Sequence, residues 1–258
     1  MKRIAFIAAA CVAAAANAGV YVELVEHDLQ TNTSEDAQKM YVQGSSGRFI
    51  DGQGQITIIK DGTMYVVNEK DKSYVALDKA TMDQLAQKMT AAMAQMKEQL
   101  AKLPPDQRAM VEKQMGGVAG LTEGKKYSVE VVDTGKSDRV EGRACRVWDV
   151  KRNGELDDQL CVVAYSALPG KENFQQVFAN FAKVFEDMAK SVPMLAGMMS
   201  NEFDAQAKVN GFPVRSRAYE NGKLGDVEQL VKVWREEAIP APMFEIPAGY
   251  KKKSMTDL

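Results

Sequence analysis

The residue types most often used in catalysis are scarce in this sequence. His27 is the only histidine, and histidine is both the usual general base at neutral pH and the commonest metal ligand. The chain contains no G-x-S-x-G serine elbow, no H-E-x-x-H segment and no phosphate-binding P-loop. Asp157 and Asp158 could be drawn as an acid pair, but adjacent strand residues point to opposite faces. The sequence therefore predicts a protein that is not an enzyme and needs no metal or cofactor.

Two cysteines, Cys145 and Cys161, lie on the two arms of a predicted hairpin. Their wide spacing differs from the C-x-x-C pair of a redox protein. If Arg152–Gly154 forms a three-residue loop, Cys145 falls directly opposite Cys161, whereas a two-residue Asn-Gly loop shifts the cysteines by one position. The cysteines favour the longer loop, and we expect a structural disulfide between them.

Two segments carry large apolar side chains at helical spacing, which predicts two amphipathic helices. The first runs over Lys79–Leu103 and is rich in methionine, and the second follows Pro169–Gly170 and is rich in phenylalanine. The candidate lining of an apolar ligand pocket consists of Met82, Leu85, Met89, Met93, Met96, Phe174, Phe178, Phe181 and Phe185.

The methionines in these segments have three explanations. They can be ordinary core filler, since methionine fills gaps. They can form an adaptable surface for an apolar ligand, because the flexible thioether repacks around varied shapes. Met89, Met93 and Met96 can also be drawn as soft ligands for Cu(I). We take the second explanation as the candidate site.

The first eighteen residues predict a cleavable signal peptide. A Lys-Arg pair precedes the apolar run Ile4–Ala16, and the small residues Ala16 and Ala18 stand before Gly19. This run is shorter than the ~20 residues that cross a bilayer, and no later stretch approaches that length without a charge. Lipidation of Cys11 is the rival hypothesis. We expect a periplasmic protein whose residues 19–258 form one domain.

The charges of the chain are balanced and dispersed. It has 33 basic and 35 acidic residues, and cleavage before Gly19 removes two of the basic ones. This balance argues against a nucleic-acid partner, which requires a basic surface. The run Lys251–Lys253 is the one basic cluster, and we expect it to be a solvated tail rather than a patch for anionic lipid.

The elements that must position these residues follow the order of the hydrophobic patterns. Short alternating runs over residues 20–77 predict an antiparallel meander, and strand patterns return after each helical segment. Asp61-Gly62 marks a two-residue hairpin, and two Asn-Gly turns, at Asn153 and Asn221, mark the same long hairpin used twice. We predict an α+β domain, in which two helical insertions cover the concave face of a strongly curved antiparallel sheet, an incomplete barrel.

This order of elements resembles an uncharacterised family of exported bacterial proteins, a domain of unknown function grouped near the LolA/LolB-like lipoprotein-carrier fold. The resemblance implies a curved, incomplete barrel with helices in its mouth and a cavity for acyl chains. The segments that carry the resemblance are Asp61–Val67, Pro104–Arg108, Leu160–Val163 and Phe244–Tyr250.

Two functional hypotheses follow. In the first, the protein is a periplasmic binding or carrier protein for a hydrophobic ligand, such as a lipid, an acylated chain or a lipidated protein. In the second, it is an envelope interaction or assembly factor that holds a protein partner and has a filled core. A cavity of several hundred Å³ beneath the helices favours the first hypothesis, and a filled core favours the second. The oligomeric state stays open in both.

Overall fold

One twelve-stranded sheet organises the residues that the structure, a computed structural model, describes: 18–104, 128–191 and 208–254. The strands are β1 Gly19–Asp28, β2 Thr33–Gln43, β3 Ser46–Asp51, β4 Ile56–Lys60, β5 Thr63–Asn68, β6 Ser73–Leu77, β7 Val129–Val140, β8 Arg143–Arg152, β9 Glu155–Ala164, β10 Gly211–Glu220, β11 Lys223–Glu237 and β12 Lys251–Lys252. The α-helices are α1 Lys79–Ala101 and α2 Lys171–Ser191, and short 3-10 turns cover Tyr165–Ala167 and Ala241–Phe244.

The sheet consists of two meanders joined side by side. Its strand order is β12-β6-β5-β4-β3-β2-β1-β11-β10-β9-β8-β7, so the pair β1–β11 connects the halves. Every pair is antiparallel except β12–β6, which is parallel. Within the described residues the edge strands β12 and β7 do not pair with each other. The sheet is therefore large, mostly antiparallel and not closed.

Two arginine side chains demonstrate that the sheet is strongly curled. Arg143 of β8 donates through Nη1 to the carbonyl oxygen of Val231 on β11, at 3.0 Å. Arg215 of β10 contacts Asp138 of β7, with Nη1 and Oδ2 2.8 Å apart. Each contact spans three strand spacings, or ~14 Å in a flat sheet, which is further than these side chains reach. The predicted curvature is confirmed.

The hairpin turns follow their Asp-Gly and Asn-Gly sequences. Lys60 pairs with Thr63 across Asp61-Gly62, and both turn residues have positive φ, 50° and 71°. Asn221-Gly222 repeats this geometry, with φ of 51° and 74°. Positive φ at both central residues defines the type I′ turn that matches strand twist.

The disulfide Cys145–Cys161 is confirmed, with the Cα atoms 5.3 Å apart. The expected three-residue loop is wrong, because Arg152 pairs with Glu155 and leaves a two-residue turn. A bulge between the two strands then shifts the register by one residue, and Val147, not Cys145, pairs with Cys161. Cys145 lies two residues from Val147, on the same face. The bulge therefore makes the cysteines diagonal neighbours instead of directly opposite ones.

Helix α2 packs across the sheet and forms the centre of the main core. Phe174 is fully buried, and its ring stacks on Trp234 with the centroids 4.6 Å apart. Phe212 meets both rings edge-on. Val177, one turn further along α2, is buried in the same cluster, which also contains the β1 residue Val22.

Among the α1 side chains that the structure describes, the buried one lies near the start of the helix. Asp78 caps the helix by accepting a hydrogen bond from the Thr81 N–H at 2.8 Å. Met82 is buried against β4–β6, and Leu85 packs against the same cluster. The described side chains over residues 87–95 are exposed. The expectation that both helices cover the concave face therefore holds for α2 and for the first turns of α1. The sequence pattern also predicts helical turns over residues 105–115 and 194–199, and these segments lie outside the described residues, as do residues 1–17 of the predicted signal peptide.

The C-terminal segment covers the opposite face of β4–β6. Ile246 and Tyr250 pack against the cluster formed by Ile56, Ile58 and Val67. Strand β12 then pairs with β6 at the sheet edge. Lys252 Nζ lies 3.2 Å from Asp78, and Lys253 Nζ lies 3.1 Å from Asp71. The expectation of a solvated basic tail is wrong, because backbone pairing and these ion pairs hold the segment against the sheet.

Candidate functional site

A cavity of about 360 Å³ lies between α2 and the strands β2–β5. The residues that line it are Gln38, Met40, Phe49, Thr57, Met64, Val177, Phe178 and Phe181. Six of the eight are apolar, and the volume lies within the usual range of small-molecule pockets. We call this space the α2 cavity.

The sheet side of the α2 cavity is one row of paired residues. Met40 of β2 pairs with Phe49 of β3, and Phe49 pairs with Thr57 of β4. Residues that pair across neighbouring strands point to the same face of a sheet. Gln38, two positions before Met40, extends the same face towards the far end of β2.

The helix side is held by two asparagines that lie two turns apart on α2. Asn173 Oδ1 accepts a hydrogen bond from the Gly44 N–H at 2.7 Å. Asn180 Nδ2 donates to the carbonyl oxygen of Ser45 at 3.0 Å. Both partners belong to the turn between β2 and β3, so this turn fixes the position of α2 over the cavity.

Gly47 allows α2 to approach the sheet closely. A Cβ atom at this position would lie 2.8 Å from the Phe49 ring and 3.3 Å from Val177 Cγ2. Such contacts are too short for any larger residue to fit without movement of its neighbours. Gly47 therefore brings Val177 and the following turn of α2 down onto β3.

The polar groups of the cavity are those of Gln38 and Thr57. No hydrogen bond to either side chain occurs within the described part of the chain. Neither side chain titrates, and the other lining residues are aliphatic, aromatic or thioether groups. The described lining can bind and orient an apolar molecule.

Gln38 also lines a second, wider space of about 590 Å³, which we call the acidic cleft. Its carboxylates are those of Glu26, Glu35, Asp36 and Asp51, and none of its lining residues is basic. Lys39 donates to Asp36 Oδ2 at 2.9 Å. This hydrogen bond and the charge of Lys39 lower the pKa of Asp36. The polar end of the α2 cavity therefore adjoins a negatively charged region.

The structure divides the predicted lining residues into three groups. Phe178 and Phe181 line the α2 cavity. Met82, Leu85 and Phe174 pack in the hydrophobic clusters, and Met96 of α1 is half-buried. The side chains of Met89, Met93 and Phe185 lie outside what the structure describes. The described part of the lining thus takes its helical side from α2, and it includes none of the α1 side chains that the structure describes.

The lining residues that come from the sheet were not predicted from the sequence. Four strands supply them, namely Gln38, Met40, Phe49, Thr57 and Met64, and each strand has the alternating pattern expected of a half-buried strand. That signal identifies an inward face on each strand separately. Register between strands decides which of these faces meet, and register depends on the turns and bulges.

Neither a metal centre nor a membrane-crossing helix is found in the described residues. No group of three or more His, Cys, Asp or Glu residues there could hold a metal ion. His27 contacts Ser34, with Nδ1 and Oγ 3.0 Å apart. Among the same residues, no helix combines the length and the apolarity that a membrane span requires.

Residues 79–250 match a family model described as "Domain of unknown function (DUF4412)". The match extends from α1 to the segment that precedes β12, so the strands on the sheet side of the cavity lie before it. None of the curated protein sequences matches the chain.

Similar solved structures share little sequence with this chain. An uncharacterized conserved protein from Thermus thermophilus is 7% identical to this chain. The aligned region covers 92% of this chain and 90% of that protein, with a TM-score of 0.43. MucB of Pseudomonas aeruginosa, solved in complex with MucA, is 11% identical, with 91% of this chain covering 56% of that one and a TM-score of 0.35. In another complex of MucB with MucA, the matched chain is 10% identical, and the aligned region covers 91% of this chain and 55% of that one, with a TM-score of 0.34. This chain spans little more than half of MucB, and we draw no functional argument from these likenesses.

Proposed function

Because this chain belongs to the DUF4412 family, whose description assigns no activity, we propose a function from the geometry of the α2 cavity: the protein is a non-enzymatic binding or carrier protein for a hydrophobic ligand, such as a lipid or an acylated chain. The family match agrees with the resemblance to a domain of unknown function. The ligand and the carrier role are our proposal.

The α2 cavity is the observation that supports this function. A filled core, the alternative expected of an interaction or assembly factor, would leave no space of this size beneath a helix. A cavity of about 360 Å³ with an apolar lining is consistent with a space that a ligand fills.

The shape and chemistry of the lining suit a flexible chain. Met40 and Met64 supply unbranched thioethers that adapt to different shapes, and Phe178 and Phe181 supply aromatic contact area. Gln38 and Thr57 offer hydrogen bonds at two points. One or two fixed polar contacts in an apolar pocket orient a ligand without restricting its apolar part.

We propose that the protein acts in the periplasm. The support is the pattern of the first eighteen residues and the disulfide Cys145–Cys161, since disulfides persist in oxidising compartments. A hydrophobic molecule that crosses an aqueous compartment needs its apolar surface covered, and a pocket of this kind covers it.

A cavity-filling substitution tests this function. We expect Thr57→Leu to lower the affinity for the neutral fluorescent probe N-phenyl-1-naphthylamine by about tenfold, equivalent to about 1.4 kcal/mol. The larger isobutyl side chain of leucine occupies space that the probe needs. The matched control is Thr57→Val, which keeps the volume and removes only the hydroxyl, and it should keep most of the affinity.

Both variants need a melting temperature close to that of the wild type for the comparison to hold. Native mass spectrometry of the protein isolated from its own periplasm gives a second measurement, and a co-purified lipid would support the proposal. Absence of probe binding at micromolar concentration would contradict it, as would equal affinity in the wild type and Thr57→Leu. Either result would favour the interaction or assembly factor.

A further inference from the structure

Two packed clusters limit the length of the α2 cavity. Met40 and Val177, which line it, are buried in the main core. Met64, also a lining residue, is buried in the cluster that contains Val75 and Met82. Met40 lies on β2 and Met64 lies on β5, so the two clusters flank the cavity from opposite sides along the sheet. Close-packed clusters do not yield space without losing contacts, and they therefore restrict how far a bound molecule can extend.

Hydrogen bonds to the backbone limit the width of the cavity. Asn173 and Asn180 hold α2 against the turn between β2 and β3, through hydrogen bonds of 2.7 and 3.0 Å. Both bonds involve backbone atoms of that turn, so α2 cannot move away from the sheet unless they break. A second alkyl chain beside the first would need such a movement. The space between α2 and the sheet therefore suits one chain.

The volume of the cavity sets the amount of chain that it holds. A methylene group in a packed chain takes about as much volume as a water molecule in the liquid, ~30 Å³. A cavity of about 360 Å³ therefore holds about twelve methylene groups. Two chains of that length would need twice the volume. The described lining residues carry no charge, so a charged head group gains nothing by entering.

Resting on the proposed function, we propose that the ligand is a single-chain amphiphile, and that one alkyl chain of about twelve carbons fills the α2 cavity. The packed clusters limit the length of the chain, and the fixed position of α2 excludes a second chain. A longer chain leaves its surplus carbons in water, where they gain nothing from burial. A two-chain lipid leaves one of its chains in water for the same reason.

Alkyl maltosides with chains of eight to fourteen carbons test the length limit, because they share one neutral head group. Each maltoside, kept below its micelle concentration, displaces N-phenyl-1-naphthylamine from the wild-type protein. We expect the affinity to rise about three- to fourfold with each carbon up to about twelve carbons, as methylene burial predicts. Beyond that length the affinity should change by less than about twofold per carbon, because the added carbons stay in water.

Two phosphatidylcholines test the limit to one chain. One carries a single dodecanoyl chain and the other carries two heptanoyl chains, so the head group is the same and the total number of chain carbons is similar. Both are used below their micelle concentrations in the same displacement assay. We expect the one-chain lipid to bind at least about tenfold more tightly, because only one of the two heptanoyl chains would enter the cavity.

Three variants test whether the lining sets the length limit. Phe181→Ala removes a ring from the lining and should move the limit to a chain about two carbons longer or more. Thr57→Leu fills space and should move the limit to a shorter chain. Tyr41→Ala is the matched control, because it removes a half-buried ring next to Met40 on the opposite face of β2. It should leave the limit unchanged, and melting temperatures verify that each variant is folded.

The outcomes separate this inference from the proposed function. A constant rise in affinity per carbon through fourteen carbons in the wild type would overturn the length limit and leave the binding function intact. Equal affinity for the two phosphatidylcholines would overturn the limit to one chain, and so would tighter binding of the two-chain lipid. A limit that stays at the same length in Phe181→Ala and Thr57→Leu would also overturn the inference. Failure of every maltoside to bind would overturn the proposed function itself.

Discussion

Arg215 and its neighbour Glu228 are the buried charged residues among those that the structure describes. The Arg215 side chain is only 10% exposed, and Nη1 lies 2.8 Å from Asp138 Oδ2. Glu228 is 8% exposed and accepts a hydrogen bond from Arg217 Nε at 2.6 Å. Buried charges are tolerated only when other charges or hydrogen bonds compensate them. These residues come from β7, β10 and β11, so their compensation depends on the curl of the sheet.

Asp138 makes the stability of this cluster dependent on pH. The Arg139 backbone N–H donates to its carboxylate, and Arg215 adds a second hydrogen bond, so the pKa of Asp138 lies below its ordinary value of 3.8. A carboxyl group whose pKa is lowered by folding stabilises the protein above the unfolded pKa. This stabilisation is lost as the pH falls through the folded pKa.

We expect Asp138→Asn to be less stable than the wild type at pH 7, by about 1 kcal/mol or less, because the carboxylate is half exposed. Its free energy of unfolding should fall less steeply than that of the wild type between about pH 5 and pH 2. Urea unfolding at a series of pH values measures both effects. If the free energies of unfolding of the two proteins fell in parallel as the pH was lowered, Asp138 would not be the cause of the pH dependence.

At the scale of elements, α2 has two roles on one helix. Phe174, in its first turn, belongs to the main core, and Val177 belongs both to that core and to the lining of the α2 cavity. The next residues, Phe178 and Phe181, face the α2 cavity. The spacing of the phenylalanines predicts one apolar face and contains no sign of this division. Contacts with Trp234 and Phe212, from distant strands, make Phe174 a core residue.

We therefore expect Phe174→Ala to lower the free energy of unfolding by about 3–5 kcal/mol, because it removes a fully buried ring from a packed cluster. Phe178→Ala, the matched control on the same helix, should cost clearly less, because Phe178 is only half-buried. Chemical denaturation of both variants measures the difference. An equal loss in the two proteins would contradict the division of α2 into a core part and a cavity part.

At the scale of the whole molecule, the proposed export would determine where the working chain begins. The predicted signal ends at Ala18, and β1 begins at Gly19, which pairs with Glu237 of β11. Gly19 also lies close to its neighbours: a Cβ atom there would lie 2.7 Å from the Val42 carbonyl oxygen. A start at Gly19 would keep the whole of β1.

We expect the exported protein to have its N-terminus at Gly19, because small residues stand at the −3 and −1 positions of the predicted cleavage site. The intact mass of protein purified from the periplasm decides this, and peptide mapping of the N-terminal peptide confirms the position. A diacylated species that begins at Cys11, or a mass that includes Met1, would contradict the prediction.

Local chemistry made much of the fold predictable. The Asp-Gly and Asn-Gly turns depend on the φ preferences of two residues, and the two helices depend on a period of 3.6 residues. Cys145 and Cys161 lie on the two arms of one hairpin, which predicts their pairing, and a bulge between the arms brings the two cysteines onto the same face. The turn and helix signals come from neighbours along the chain, so the sequence alone determined the meanders and the helical insertions.

The tertiary structure decided the register and the site. The bulge opposite Val150 shifts the cysteine hairpin by one residue, and the curl of the sheet brings Arg215 to Asp138. The α2 cavity combines strands from the first meander with a helix more than a hundred residues later, held there by Asn173 and Asn180 on the β2–β3 turn. These features depend on contacts between distant segments, and the periodicity of a single segment carries no information about which distant segment it will meet.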